Sequence, residues 1–199
     1  MTDRPEPRIH LVRHGETEWS RSGKHTGRTD VPLTPLGRRQ AEAIGARLRG
    51  KRFALVLTSP SSRAAETARL AGFPDAERTP DLMEWDYGEF EGRTTAEIRA
   101  MLPGWSIWKG PWPGGETPEQ VGVRVDRVIA RCLSPEVEGD SLLFAHGHVL
   151  RVLAARWLGE SPRAGAHYAL DTARLSLLGW EHETRVIEQW NDACHLEVT

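Results

Sequence analysis

The sequence is poor in cysteine and contains no long apolar run. Its two cysteines, Cys132 and Cys194, cannot form a disulfide framework, and no CxxC pair is present for a zinc or redox site. No hydrophobic stretch approaches the roughly 20 residues that a transmembrane helix needs. The N-terminal residues MTDRPEPR lack the apolar segment of a secretory signal. These absences predict a soluble, cytoplasmic protein.

Lysine is also rare in the sequence, and the net charge is small. Only Lys24, Lys51 and Lys109 are lysines, and 26 basic and 28 acidic residues give a formal net charge of −2. A nucleic-acid-binding protein usually has a large basic excess, so the balance argues against such a partner. Hydrophobic residues make up 39% of the 199 residues, which is enough for the core of one domain. We expect a flexible tail over residues 1–8 and a single domain over residues 9–199.

Short apolar runs alternate with amphipathic stretches along the chain. The predicted strands cover residues 9–12, 54–57, 141–145, 175–180 and 186–190. The predicted helices cover residues 35–50, 63–70, 94–102, 149–158 and a stretch that opens at 117. This alternation favours an α/β fold, a three-layer α/β/α sandwich around a mostly parallel sheet.

Polar side chains stand where three of these strands end. Arg13 and His14 follow the first strand, Ser59 follows the second and leads to Arg63, and His146 follows the third. In parallel sheets, ligands bind at the carboxyl ends of the strands. We therefore expect these side chains to meet in one cleft.

Two histidines and two arginines in one cleft suit a phosphate group. The planar fork of arginine matches phosphate oxygens, and a neutral imidazole can act as a nucleophile on phosphorus. Gly15 and Gly147, beside the histidines, let backbone N–H groups approach closely. The leaving oxygen needs a proton from a carboxylic acid, and Glu84 and Asp86 are the candidates. The residues alone predict phosphoryl transfer and leave the choice of acid open.

Plainer interpretations stay open at this point. A single histidine at a strand end is more often a polar core residue than a catalytic one. His146 and His148 form half of a metal site, but no third ligand follows at tight spacing. Trp105, Trp108 and Trp112 lie in a Pro- and Gly-rich stretch. Packing is the commoner role of such tryptophans, and a partly apolar wall over the cleft is the functional alternative.

Longer motifs resemble one known family. Residues 11–17 read LVRHGET and precede Trp19, which resembles the signature of the histidine phosphatase superfamily, in its phosphoglycerate-mutase-like branch. The resemblance spans residues 9–190 and includes Thr26-Gly27, Leu33 to Gly37, Gln40-Ala41, Thr58 to Ala68, Leu82 to Gly92, Gly115 to Thr117 and Ala145 to Gly147. The residues of several motifs resemble those of two sub-branches, the sedoheptulose-bisphosphatase type and a bacterial acid phosphatase type.

The resemblance implies a role for each matching residue. His14 would be the nucleophile, Arg13 and Arg63 would bind the phosphoryl group, His146 would also contact it, and Glu84 would be the general acid and base. The expected substrate-binding residues are Thr26, Gly27, Ser20, Tyr87 and Gly147. No metal and no organic cofactor is implied.

Three functions compete at this stage. The first is a phosphatase that hydrolyses small phosphorylated metabolites, with sugar phosphates as candidate substrates, through a phosphohistidine. The second is a cofactor-dependent phosphoglycerate mutase, but Ser20 stands where mutases have Asn. Residues 93–115 also lack the Lys and the Arg pair of the mutases. The third is an inactive homologue that binds phosphorylated ligands, against which the intact site residues argue. The sequence leaves a homodimer open.

Overall fold

The computed structural model describes residues 6–196 and contains a six-stranded sheet with helices on both faces. The strands are β1 (Ile9–Arg13), β2 (Leu55–Thr58), β3 (Glu77–Arg78), β4 (Ser141–Ala145), β5 (Leu175–Glu181) and β6 (Thr184–Asp192). The α-helices are α1 (Glu18–Ser22), α2 (Pro35–Leu48), α3 (Ser62–Leu70), α4 (Thr95–Met101), α5 (Pro118–Cys132) and α6 (Gly147–Trp157). Short 3-10 helices cover Pro80–Leu82, Gly88–Phe90, Pro162–His167 and Cys194–Leu196.

The sheet is mostly parallel, as predicted. Its strand order is β3-β2-β4-β1-β5-β6; β1, β2, β3 and β4 are parallel, and β5 and β6 form an antiparallel hairpin at one side. Arg13 of β1 pairs with Ala145 of β4, and Thr58 of β2 pairs with Phe144. This register places the residues that follow β1, β2 and β4 side by side at one edge of the sheet.

Alternate residues of the central strands face opposite layers. Ile9 and Leu11 of β1 are fully buried against the layer that contains α5 and α6, whereas Val12 belongs to a second cluster with residues of α2 and α3. Side chains alternate along a strand, so a central strand that is apolar on both faces must be covered twice. The predicted three-layer sandwich is confirmed.

Helix starts follow the sequence signals in most places. Thr34 caps α2 by accepting a hydrogen bond from the Gly37 N–H, with Pro35 at the first helical position. Ser61 stands at the N-cap position of α3, where a serine side chain usually caps a helix. Ser61 makes no side-chain cap bond, and the Asp30 carboxylate instead accepts from the Ser62 N–H. An Asp distant in sequence supplies this cap, so local pattern does not reveal it.

The predicted flexible tail does not extend through Pro7 and Arg8. Residues 1–5 of the predicted tail lie outside the described residues. Pro7 and Arg8 are held against the sheet: the Trp180 indole donates to the Pro7 carbonyl, and the Arg8 N–H donates to Asp140. None of the helices in residues 6–196 has the length and apolar character needed to cross a bilayer.

Candidate active site

A cavity of about 250 Å³ opens at the carboxyl ends of β1 and β4. Its walls are formed by Arg13, His14, Ser20, Gly23, Lys24, His25, Thr26, Glu84, Tyr87, Thr95, Gly147, His148, Arg151 and Leu170. The elements that supply these residues are far apart in sequence and meet because β1 and β4 are neighbours in register. Of the side chains expected to meet in this cleft, Arg13 and His14 line the cavity, whereas Ser59, Arg63 and His146 do not.

His14 is held as a neutral imidazole with one defined tautomer. Its Nδ1 lies 2.7 Å from the Gly15 carbonyl oxygen, which can only accept, so Nδ1 carries the proton and Nε2 keeps its lone pair. Burial, and then the charges of Arg63 and Arg13, lower the pKa of His14 well below its usual value. A neutral Nε2 lone pair at a cavity wall is the state a nucleophile requires.

The backbone of Gly15 is fixed on both sides. Its N–H donates to Thr67 Oγ1 (3.1 Å), and the same hydroxyl donates to the Arg63 carbonyl (2.7 Å). A Cβ on Gly15 would lie 2.3 Å from the Gly37 carbonyl oxygen, so only glycine fits against α2. Because the Gly15 carbonyl orients His14, these contacts position the nucleophile.

Arg13 presents an unsatisfied donor at the same place. Its Nη1 donates to the Leu170 carbonyl (2.5 Å), and its Nε is buried with no hydrogen-bond partner among the described residues. A Cβ on Gly147 would lie 3.2 Å from the Arg13 Cζ, so the guanidinium rests against the first residue of α6. A buried guanidinium N–H without a partner is costly unless an anion accepts it.

Arg63 and His146 lie behind the cavity wall and contact each other. Arg63 is fully buried; its Nε donates to His146 Nδ1 (3.2 Å), and its Nη atoms donate to the carbonyls of Thr26, Gly27 and Thr29. The acceptor role of Nδ1 leaves the proton of neutral His146 on Nε2, which donates to Ser59 Oγ (2.8 Å). Burial, followed by the charge of Arg63, lowers the pKa of His146 well below its usual value.

Glu84 is bound to the N-terminus of α6. Its Oε1 accepts from the N–H groups of Trp85 and Val149 (both 2.9 Å), and its Oε2 accepts from the His148 N–H (3.0 Å). The first N–H groups of a helix have no partner within the helix, and they attract a negative group. A carboxylate has about four lone-pair positions, so the free one lies on Oε2.

The other candidate acid, Asp86, does not line the cavity. Its carboxylate pairs with Arg28 (2.8 Å) and accepts from the Gly88 N–H (3.0 Å). Of the two carboxyl groups that the sequence left open, the structure therefore brings Glu84 to His14 and keeps Asp86 outside.

A row of aromatic rings forms one wall of the cavity. The Tyr87 hydroxyl lies 2.7 Å from His148 Nδ1, and His25 stacks against Tyr87 with ring centroids 4.6 Å apart. Burial lowers the pKa of His148 well below its usual value and raises that of Tyr87, so the neutral phenol donates to the neutral imidazole. The second nitrogen of His148, Nε2, consequently carries a proton.

Of the two roles left open for Trp105, Trp108 and Trp112, packing is the one observed. Trp105, Trp108 and Trp112 are absent from the described cavity lining and pack behind it. The indole N–H groups of Trp105 and Trp112 donate to nearby backbone carbonyls, those of Pro111 and Ile107. The rings thus complete the core beneath the wall.

Burial of His25 gives the protein a pH-dependent stability. Burial lowers the pKa of His25 from 6.5 to about 4, so below pH 6.5 the unfolded chain binds a proton that the folded chain does not. Stability should fall as the pH drops from 6.5 toward 4, and His25 alone accounts for about 2 kcal/mol at pH 5. We expect the free energy of unfolding, measured with urea, to fall between pH 7 and pH 5 by about 2 kcal/mol less in His25→Phe than in the wild type.

His25→Phe also loses the hydrogen bond between His25 and Thr95, and this loss is the same at every pH. The change in the free energy of unfolding with pH therefore reports the protonation of His25. His182→Gln, in the exposed turn between β5 and β6, is the matched histidine replacement and should keep the wild-type loss. An identical loss in the wild type and His25→Phe would contradict the assignment.

The structure distributes the predicted site residues between the wall and the layer behind it. Seven of them line the cavity: Arg13, His14, Ser20, Thr26, Glu84, Tyr87 and Gly147. Arg63, His146 and Gly27 lie outside the lining. Gly27 is packed under the Trp85 carbonyl, where a Cβ would lie 2.5 Å from the oxygen, and its N–H donates to Glu91. Ser20 is engaged in the capping box of α1 with Thr17.

Sequence reasoning missed five polar residues of the wall as substrate contacts: Lys24, His25, Thr95, His148 and Arg151. For Arg151 a signal was present. It lies four residues after Gly147 on α6, and residues spaced by four share one face of a helix. Lys24 and His25 precede the Thr26-Gly27 motif directly and could have been included with it.

The cavity shows no metal centre. Within residues 6–196, no group of three or more His, Cys, Asp or Glu side chains is arranged to hold a metal ion. His148, the second histidine of the predicted half-site, is engaged with Tyr87 through Nδ1. The donor set consists mainly of cations and neutral imidazoles, which suits an anion.

The chain has sequence relatives that are named as phosphatases and as a phosphoglycerate mutase. The chain is 42% identical to an acid phosphatase of Mycobacterium tuberculosis (89% of each chain) and 40% identical to a sedoheptulose 1,7-bisphosphatase of Saccharomyces cerevisiae (77% of this chain, 68% of that one). It is 30% identical to a probable phosphoglycerate mutase of Yersinia enterocolitica (96% of this chain, 95% of that one).

The fold has a solved counterpart. A structure from Mycobacterium tuberculosis superposes with a TM-score of 0.89 at 40% identity, covering 93% of this chain and 97% of that one. The family model described as "Histidine phosphatase superfamily (branch 1)" matches residues 9–193. This range includes His14 and His146. The chain therefore belongs to the histidine phosphatase superfamily, branch 1.

Proposed function

We propose that this phosphatase cleaves small phosphate monoesters by transferring the phosphoryl group to His14 Nε2. The observation that carries the proposal is the fixed tautomer of His14, whose Nδ1–H is bound by the Gly15 carbonyl while Nε2 stays unprotonated at the cavity wall. Attack by Nε2 forms a P–N bond and breaks the ester P–O bond. Regenerating the enzyme then requires water.

The phosphoryl group would bind between Arg13 and the layer formed by Arg63 and His146. Arg13 lines the cavity, and its guanidinium N–H groups match the oxygens of a phosphate. Arg63 adds buried positive charge close to His14, as its lowering effect on the pKa of His14 indicates. Such cations stabilise the charge on the equatorial oxygens in the transition state.

Glu84 would transfer the protons. As an acid, its Oε2 protonates the ester oxygen as the P–O bond breaks. As a carboxylate, it then takes a proton from water, whose oxygen attacks phosphorus and releases inorganic phosphate and free His14. The three backbone N–H contacts keep the carboxyl group in one orientation through both steps.

Sugar phosphates fit the cavity as candidate substrates. Tyr87, His25 and His148 combine ring faces with polar atoms, and this pairing suits a polyhydroxylated chain. The sequence relative named sedoheptulose 1,7-bisphosphatase supports the same class.

Hydrolysis should exceed phosphoglycerate interconversion. The basic residues of the segment where mutases carry their extra cations do not line the described cavity: Arg99 donates to the Trp105 carbonyl, Arg93 contacts Met101, and Lys109 is exposed. We expect chelator-insensitive hydrolysis of an aryl phosphate and slow or absent mutase turnover, measured on one preparation. Mutase turnover above phosphatase turnover would reverse the assignment, and no turnover of either kind would favour the inactive homologue.

Several features remain predictions about the protein in its cell. They are a cytoplasmic location, the absence of nucleic-acid partners, a single domain over residues 9–199, and a homodimer. Size-exclusion chromatography with light scattering would decide the oligomeric state.

A further inference from the structure

The motif at residues 115–117 lies outside the described cavity lining and takes no part in the proposed chemistry. Its middle residue, Glu116, binds the segment that carries Glu84. The Glu116 N–H donates to the Asp86 carbonyl (2.9 Å), and the Glu116 carboxylate accepts from the Asp86 N–H (3.0 Å). The Trp85 indole donates to the Glu116 carbonyl (2.7 Å). Three polar groups of one residue therefore hold the two residues that follow Glu84.

Arg124, on α5, holds the same segment through its backbone carbonyls. Its Nη1 donates to the carbonyls of Asp81 (2.9 Å) and Met83 (2.6 Å), and its Nη2 donates to the Glu84 carbonyl (3.2 Å). Its Nε (2.9 Å) and Nη2 (3.0 Å) also donate to the Glu116 carboxylate. Arg124 is only 7% exposed, so little water competes for these donors. Because a guanidinium presents its N–H groups in a fixed planar fork, it holds all four acceptor residues in one geometry.

Glu84 is thereby fixed at both ends. The N–H groups of His148 and Val149, at the start of α6, bind its carboxyl group, and Arg124 binds its carbonyl oxygen. Residues of α5 and α6 belong to one buried cluster, so the two helices that hold Glu84 are packed together. Neither Arg124 nor Glu116 lines the described cavity, so their effect on the reaction passes through the segment that they hold.

We propose that Arg124 and Glu116 are positioning residues that keep the Glu84 carboxyl group aimed at the ester oxygen of the substrate. This inference rests on the proposed function, because it takes Glu84 to be the proton donor. A proton is transferred over a hydrogen-bond distance, so displacing the donor by about 1 Å can slow the step by about 10²-fold. The five bonds from one buried guanidinium limit that displacement.

The test measures how strongly turnover depends on protonation of the leaving group. The kcat and KM values are measured for fructose 6-phosphate, whose leaving oxygen needs a proton, and for p-nitrophenyl phosphate, whose leaving group needs it far less. We expect Arg124→Gln to lower kcat by about 10- to 100-fold for the sugar phosphate and much less for the aryl phosphate, with both KM values unchanged. Arg124→Lys keeps the charge without the planar fork, so its loss on the sugar phosphate should be about 3- to 10-fold.

A double-mutant cycle connects the effect to Glu84. In Glu84→Gln the proton step is already lost, so adding Arg124→Gln should leave the ratio of the two kcat values where Glu84→Gln alone sets it. A further tenfold drop in that ratio would show that Arg124 acts through another group and would overturn the inference. If Arg124→Gln does not fold, the cycle is run with Glu116→Gln, which keeps one oxygen acceptor where the carboxylate has two and should lower the ratio in the same direction.

Arg127→Gln is the matched control on the same helix. Arg127 lies three residues further along α5 and binds the carboxylate of Asp81 through Nε and Nη2. Its replacement should leave the ratio of the two kcat values as in the wild type. An equal drop in Arg127→Gln, or equal losses on both substrates in Arg124→Gln, would overturn the positioning role. An unchanged ratio in Glu84→Gln would refute the acid role of Glu84 in the proposed function, whereas an unchanged ratio confined to the Arg124 and Glu116 variants would refute this inference alone.

Discussion

Replacing His14 by alanine should abolish both turnover and phosphoenzyme formation. His14 offers an unprotonated imidazole nitrogen, Nε2, at the cavity wall beside Arg13. Removing a covalent nucleophile costs on the order of 10⁴–10⁶-fold in kcat. The labelled intermediate of the wild type should be acid-labile and alkali-stable, as a P–N bond is, and it should be missing from the variant.

A matched histidine replacement makes this result specific. His148→Ala removes a second buried imidazole from the same cavity and should still give an acid-labile label, because its Nδ1 is occupied by Tyr87. Near-normal turnover by His14→Ala would end the mechanism. A label that persists in His14→Ala and disappears in His148→Ala would move the nucleophile to His148.

Replacing Glu84 by glutamine should slow hydrolysis by about 10²- to 10⁴-fold for alkyl phosphates, whose leaving oxygen needs a proton. Aryl phosphates with a good leaving group should lose much less. The measurement is kcat for a sugar phosphate and for p-nitrophenyl phosphate in both proteins. This difference arises because glutamine can accept a hydrogen bond but cannot cycle a proton.

The structure adds a second effect of the same substitution. An amide NH₂ would face at least one N–H donor of His148, Val149 or Trp85, so Glu84→Gln also weakens the cap of α6 by about 1–3 kcal/mol. That loss lowers stability and affects both substrates equally. Equal losses in rate would therefore assign Glu84 a structural role alone. Asp86→Asn, outside the cavity, should retain the wild-type leaving-group dependence.

The sequence by itself determined the layer order and the identity of the central residues. Apolar runs that need covering on both faces, such as 141–145, require a sheet between two helical layers. The polar residues directly after these runs then fall at one edge, which is why Arg13, His14 and His146 could be placed without coordinates. A helix cap follows from the sequence where its hydrogen-bond partner is three residues away, as between Thr34 and Gly37.

Only the tertiary structure decided which of these residues reach the cavity. Glu84 and Asp86 look alike in sequence, but the N-terminus of α6 holds one and Arg28 holds the other. The tautomer of His146 depends on the guanidinium of Arg63, which lies 83 residues away in the sequence. The contact between the Arg151 guanidinium and the Trp108 ring joins segments that are far apart in sequence, and no local periodicity encodes such a contact.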